Sequence, residues 1–157
     1  MPSFSTKRRV AFTALQMYDL VADVERYPEF LPMCTGLTVT SRAAVADGED
    51  LVARMTVGYK SVSEAFTTRV RLRPGVLRVE ANYLDGPFKK LENRWHFIDV
   101  PGEGAARSDV DFFIGYEFKS PMLAVLVGGV FDQAFRRFTD AFEQRAQKVY
   151  GNSSPGV

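Results

Sequence analysis

The chain has 157 residues, of which 46% are hydrophobic and 25% charged; this is the size of one domain, with enough apolar material for one core. With 20 basic and 19 acidic residues the net charge is +1, so no overall field points to DNA or draws the chain to an anionic surface. Cys34 is the sole cysteine, which excludes an internal disulfide, and "MPSFSTKRRVAF" lacks the apolar centre of a secretory signal, so the expected setting is reducing and cytoplasmic.

The segment "FSTKRRV" reads as a first strand. Thr13 and Gln16 then have the spacing of a capping box ahead of a helical pattern through Met17, Tyr18 and Val21. Asp23 and the pair Tyr27-Pro28 interrupt that pattern, because a residue before proline is pushed out of the helical region. Pro28 is expected to open a second short helix. "TGLTVTSRA" begins a series of strands with period two. In "LVARMTVGY", Leu51, Ala53, Met55, Val57 and Tyr59 share a face; in "SVSEAFTTRVRL", Val62, Glu64, Phe66, Thr68, Val70 and Leu72 do. "VLRVEANY" aligns Leu77, Val79, Ala81 and Tyr83, and "FKKLENRWHF" aligns Leu91, Asn93, Trp95 and Phe97. "SDVDFFIGYEF" aligns Val110, Phe112, Ile114, Tyr116 and Phe118. Turn signals at Asp47-Gly48, Tyr59-Lys60-Ser61, Pro74-Gly75, Asp85-Gly86-Pro87 and Pro101-Gly102 separate these runs, giving about seven strands in a meander of hairpins.

A long helix is predicted from about Pro121 to Tyr150, with Leu123, Val127, Phe131, Ala134, Phe135, Phe138, Ala141 and Phe142 on one stripe. Its far side is polar from Asp132 onward, but earlier it carries Met122, Val125, Leu126 and Gly129. The apolar run from Met122 to Phe131 is about half of the roughly 20 residues a membrane span needs. Gly151 stops the helix, and 151–157 is expected to be a disordered tail behind one domain over 1–150.

Chemistry-bearing groups are sparse. The sole histidine, His96, alternates away from Trp95 and Phe97 onto the face of Lys90, Glu92 and Arg94, which does not suit a proton shuttle. Cys34 and His96 have no partners at metal-ligand spacing, so neither a metal site nor a catalytic residue is assigned. Asp109 and Asp111 read as a solvated strand face, and the glycines of "PGEGAA" as a hairpin loop. Glu64 shares a strand face with Phe66 and Val70, where an unpaired carboxylate is costly; the ordinary reading is a hydrated strand end or an arginine partner.

The order strand, two small helices, about six strands and one long helix resembles the α+β helix-grip arrangement of START-like domains, a curved antiparallel sheet wrapped on a C-terminal helix. Three segments, "VADVERYPEFLPMCTG", "YLDGPFKKLENRWHF" and "YEFKSPMLAVLVGGVFDQAFRRFTDAFEQRA", are similar to the coenzyme Q-binding START-domain family. Its bacterial relatives carry the labels ribosome-association toxin and polyketide cyclase/dehydrase-like. The resemblance implies an apolar cavity that holds ubiquinone or a similar isoprenoid lipid as a ligand, with no catalytic cofactor and no chemistry performed on it.

Carried over by motif, Tyr27, Phe30, Leu31 and Pro32 would line the entrance, with Gly86, Pro87 and Phe88 opposite. Phe66, Leu91, Trp95, Phe112, Ile114 and Phe131 would supply walls, and Gly128 would make room for ligand or for close sheet packing. Tyr59, Glu64, Tyr83, Asn93 and Tyr116 are the polar candidates for a quinone head. Met122, Val125 and Leu126 would serve transient contact with a membrane, at its inner face, or with a protein partner. Two further roles implied by the relatives are binding of the large ribosomal subunit to block subunit association, and an aromatase/cyclase reaction with Glu64 or a tyrosine as acid or base.

Overall fold

The computed structural model describes residues 2–151; from residue 152 onward the expected tail lies outside the described residues. Seven strands form one antiparallel sheet in the order β1-β7-β6-β5-β4-β3-β2. They are β1 (Ser3–Val10), β2 (Cys34–Val45), β3 (Gly48–Tyr59), β4 (Val62–Arg73), β5 (Arg78–Asp85), β6 (Phe88–Asp99) and β7 (Ser108–Phe118). β2 to β7 is the expected meander, while β1 returns to the far edge and pairs with β7 from Ser3↔Gly115 to Val10↔Ser108. Strands of 12 residues extend roughly 40 Å at about 3.3 Å per residue, long enough for a twisted sheet to curl over a helix.

Helix α1 (Ala14–Ala22) begins at the predicted capping box: the Thr13 hydroxyl accepts from the Gln16 amide at 3.0 Å, and the Gln16 side chain accepts from the Thr13 amide at 2.9 Å. Its buried residues Ala14, Met17, Tyr18 and Val21 follow the helical period and face the sheet. A 3-10 helix, Val24–Glu29, follows after the break at Asp23. Pro28 lies inside that helix and does not open it. The turn starts four residues earlier, and Val24 and Tyr27 are its buried pair.

The predicted single C-terminal helix is two: α2 (Pro121–Arg136) and α3 (Phe138–Val149). Neither Pro nor Gly marks the junction. At Arg137 the ladder tightens, its amide donating to Ala134 O at 3.2 Å, one residue short of the helical partner. The tightened turn brings Phe135 and Phe138, on opposite sides of Arg137, to a ring separation of 5.6 Å, and both are buried against the sheet. Of the predicted stripe only Leu123, in the first turn of α2, is not fully buried.

Two other expectations shift at turns. Tyr59 alternates onto the core face but stands at the tip of the β3–β4 hairpin, where it is half exposed. Leu77 is not in β5: it is the left-handed exit (φ 52°) of a turn in which its amide donates to Pro74 O, and its carbonyl takes the amide of Phe97. Gly86, by contrast, is required. Its φ is +140°, and a Cβ there would stand 2.7 Å from Phe66 Cβ.

Candidate functional site

Between the concave face of the sheet and the α2–α3 junction lies a cavity of about 60 Å³. Its floor is built by period-two alternation: Ala53 and Met55 of β3; Phe66, Thr68 and Val70 of β4; Val79 and Ala81 of β5. Leu91, Asn93 and Trp95 of β6, with Ile114 of β7, continue it. Phe135, Phe138 and Phe142 roof it, and Val24 and Tyr27 close one side beside Leu37 of β2. The break at Arg137 therefore sits directly over the cavity.

Few polar atoms reach this space. Tyr27 is committed: its hydroxyl donates to Val21 O, and burial pushes the phenol far above its ordinary range. Asn93 Oδ1 accepts from Trp95 Nε1 at 3.1 Å while its Nδ2 donates to Phe113 O at 2.9 Å, which leaves one N–H and one lone pair of the amide unused. Thr68 is 7% exposed, and its hydroxyl has no hydrogen-bond partner among the described residues. Among the described residues no carboxylate, histidine or thiol lines the cavity.

Six of the residues implied by motif, Tyr27, Phe66, Leu91, Asn93, Trp95 and Ile114, line this cavity. The remainder lie elsewhere. Phe88, Phe131, Tyr116 and Tyr83 form a filled aromatic cluster toward the N-terminal end of α2, with Phe88 fully buried at 5.0 Å from Phe131 and 4.9 Å from Phe118. Phe66 joins this cluster to the cavity, at 5.5 Å from Phe88. Phe88 is thus a plug and not an open loop. The Tyr83 hydroxyl accepts from its amide at 3.1 Å, and Pro87 O accepts from the Lys119 amide at 2.9 Å. Tyr116 donates to Asp132 at 3.3 Å; burial, reinforced by that carboxylate, pushes its phenol up to about 12.

Gly128 faces the ring of Phe118, where a Cβ would make an ordinary 3.6 Å contact, and not the cavity. Phe112 packs behind Trp95 at 4.5 Å, against Phe4 and Phe138. Phe30, Leu31 and Pro32 adjoin the 3-10 helix without lining the cavity; Phe30 packs on Phe142 at 5.1 Å beneath the Arg145 guanidinium, which bonds Glu29 at 2.8 Å. Glu64 is half-buried beside Val57 in the β3–β4 pair, off the cavity wall, and Tyr59 is at the hairpin tip. Sequence reasoning assigned no site role to Thr68 or to the roof of Phe135, Phe138 and Phe142, although the same strand face and helix stripe carried them.

On the other face of the sheet, His96 stands across from Asp111 and Arg78 in a shallow groove. Partial burial, then Arg78, lowers its pKa, with Asp111 opposing. Cys34 is buried, its thiol pushed up to about 11 by desolvation, which makes it a poor nucleophile. Among the described residues no three His, Cys, Asp or Glu side chains gather as a metal site, and no helix is long and apolar enough to cross a membrane.

The family model described as polyketide cyclase / dehydrase and lipid transport matches residues 10–143. A ribosome association toxin, RatA, of Vibrio cholerae is 37% identical over 96% of this chain and 99% of its own. The mitochondrial coenzyme Q-binding protein COQ10 homolog B of Xenopus laevis is 31% identical over 94% of this chain, which spans 59% of that protein. Among solved structures, an aromatase/cyclase of a Streptomyces strain superposes with a TM-score of 0.78 over 98% of this chain and 99% of that one; at 15% identity it shares the fold alone. The family match and the relatives show that the chain belongs to the polyketide cyclase / dehydrase and lipid transport family, and its sheet with the gripped helix pair is the START-like helix-grip fold.

Proposed function

We propose that this protein binds an isoprenoid quinone or a similar apolar lipid in the cavity beneath the α2–α3 junction. It carries the ligand unchanged, as a cytoplasmic chaperone serving membrane-bound electron transport. The observation that carries this reading is the lining: apolar and aromatic walls with two underused polar groups, the Thr68 hydroxyl and one edge of the Asn93 amide. Those groups suit the carbonyl and methoxy oxygens of a quinone head. Burying ~400 Å² of isoprenoid surface at ~25 cal/mol per Å² offers on the order of 10 kcal/mol gross, so affinity needs no reactive group.

The cavity of about 60 Å³ is smaller than the roughly 150 Å³ that holds benzene in an engineered core. Occupancy by a quinone ring therefore requires the walls to move. Met55 and Leu37, paired across β2 and β3 and only partly buried, are wall side chains that can shift without disturbing the fully buried core. An aromatase/cyclase role fits less well, since an acid or base is needed within reach of substrate and Glu64 lies off the lining. The test is organic-solvent extraction of gently purified protein followed by mass spectrometry, with an unrelated protein from the same cells as control. Stoichiometric quinone or other isoprenoid lipid supports the carrier, and an extract matching the control contradicts it.

A second reading follows from the likeness to the ribosome association toxin, which covers nearly the whole of both chains. On that reading the protein binds the large ribosomal subunit and hinders subunit association. Co-sedimentation with that subunit in a gradient, lost at high salt, supports it; protein that stays at the top at low salt contradicts it.

A further inference from the structure

The topology gathers at one end of the molecule the C-terminal ends of β3, β5 and β7, the N-terminal ends of β4 and β6, and the first turns of α2. Exposed apolar side chains collect there from three separate elements. Met122, Val125 and Leu126 of α2 are 71%, 82% and 62% exposed, and Leu84 at the end of β5 and Tyr59 at the β3–β4 tip are each about half exposed. No charged residue occurs between Pro121 and Phe131. Exposure of this extent on one helix face is not needed by the core, which takes Val127 and Phe131 from the opposite side.

Four lysines lie at this end. Lys60 follows Tyr59 at the hairpin tip, its ammonium 5.3 Å from the Tyr59 ring centroid. Lys89 and Lys90 follow Phe88 at the start of β6, and Lys119 precedes α2, tied to the β5–β6 loop by the hydrogen bond its backbone N–H donates to Pro87 O. Glu117 takes Lys89 and Lys90 at 3.8 and 3.9 Å, long contacts between exposed groups, and Asp85 and Glu64 are further acids on the strand ends here. Exposed apolar side chains, lysines and a tyrosine at the same end match the layering of an anionic bilayer surface: acyl chains below, phosphates above.

We propose that this end of the molecule docks on membranes carrying anionic phospholipids, with Val125, Leu126 and Met122 entering the acyl boundary and Lys60, Lys89, Lys90 and Lys119 meeting the phosphates. The proposal rests on the carrier reading, for which it names the membrane that exchanges ligand. The buried Phe88 cluster lies between this surface and the cavity, so docking sets the α2 N-terminus and the Phe88 plug against the bilayer from which a lipid would pass.

The full chain is mixed with sedimentable vesicles containing phosphatidylglycerol or with vesicles of phosphatidylcholine alone. Binding is expected to the anionic vesicles, weakened about tenfold on neutral ones, at high salt or by Lys89→Ala with Lys119→Ala. A comparable loss is expected for Val125→Ser with Leu126→Ser, whose folding is checked by circular dichroism and which, at exposed sites, should keep wild-type stability. His96→Ala, on the far sheet face, should bind as wild type. Absence of wild-type binding to anionic vesicles, or equal binding by both double variants, overturns the proposal. So does self-association abolished by Val125→Ser with Leu126→Ser in a protein that ignores vesicles. Vesicle binding without extractable lipid would remove the carrier reading and leave the docking surface standing; extractable lipid without vesicle binding would do the reverse.

Discussion

Trp95 and Asn93 lie two residues apart on the concave face of β6, and the indole N–H of the first donates to the amide oxygen of the second at 3.1 Å, at the cavity wall. The Asn93 amide in turn donates to Phe113 O at 2.9 Å, so this side chain satisfies the buried indole N–H, which would otherwise be unpaired, and ties β6 to the neighbouring strand β7. Asn93→Leu is therefore expected to destabilise the fold by about 2 kcal/mol, in the range for orphaned buried polar groups. Urea unfolding followed by the fluorescence of the sole tryptophan measures it; a change below ~0.5 kcal/mol would mean that the pair carries no structural weight.

Thr68 should behave in the opposite way. Its hydroxyl has no partner among the described residues, so the near-isosteric Thr68→Val should leave stability unchanged or raise it by about 1 kcal/mol. The same variant should weaken a quinone more than a hydrocarbon of equal size, because only the quinone has oxygens to accept the hydroxyl proton. Comparing both ligands on wild type and variant separates the two effects.

The glycines divide sharply. Gly86→Ala places a methyl 2.7 Å from Phe66 Cβ at a φ of +140° and should cost more than ~2 kcal/mol, releasing the Phe88 plug as it does so. Gly129 has open space around its missing Cβ, and Gly128→Ala meets only an ordinary contact with Phe118. Both α2 substitutions should stabilise by about 0.5 to 1 kcal/mol, the helix-propensity gain. Thermal unfolding of the three variants tests this; a large loss at Gly128 would restore to it the space-making role the sequence suggested.

Removal of the plug itself is a further check. Phe88 is fully buried among Phe66, Phe118, Tyr116 and Phe131, so Phe88→Ala should cost about 3 to 5 kcal/mol. If the cluster separates the cavity from the docking end, the folded fraction of this variant should also exchange lipid with vesicles faster than wild type. Slower or equal exchange would count against that separation.

The architecture was legible in the chain because each strand had a period-two face and each turn a local signal, from the capping box at Thr13 and Gln16 to the hairpin at Asp47-Gly48. The break at Arg137 was not, because it has no Pro or Gly and leaves Phe135 and Phe138 on the same buried stripe that an unbroken helix would give. The site was half legible. Alternation placed Phe66, Leu91, Asn93 and Trp95 on the concave face, but it cannot say how far along the strands empty space lies. The conspicuous glycines of α2 drew the expected cavity toward Gly128 and Phe131, where aromatic rings fill the interior. The space occurs one to two turns later, beneath the junction, where the residues lining it look like any other core.

Binding in that space is tested most directly through Trp95, the sole tryptophan and part of the cavity wall. Titration with a short-chain ubiquinone should quench its fluorescence saturably, and Ala81→Leu, which fills the cavity from β5, should abolish the saturable component while the protein stays folded. Quenching that rises linearly without saturation, identical in wild type and Ala81→Leu, would contradict a quinone site beneath the helix junction.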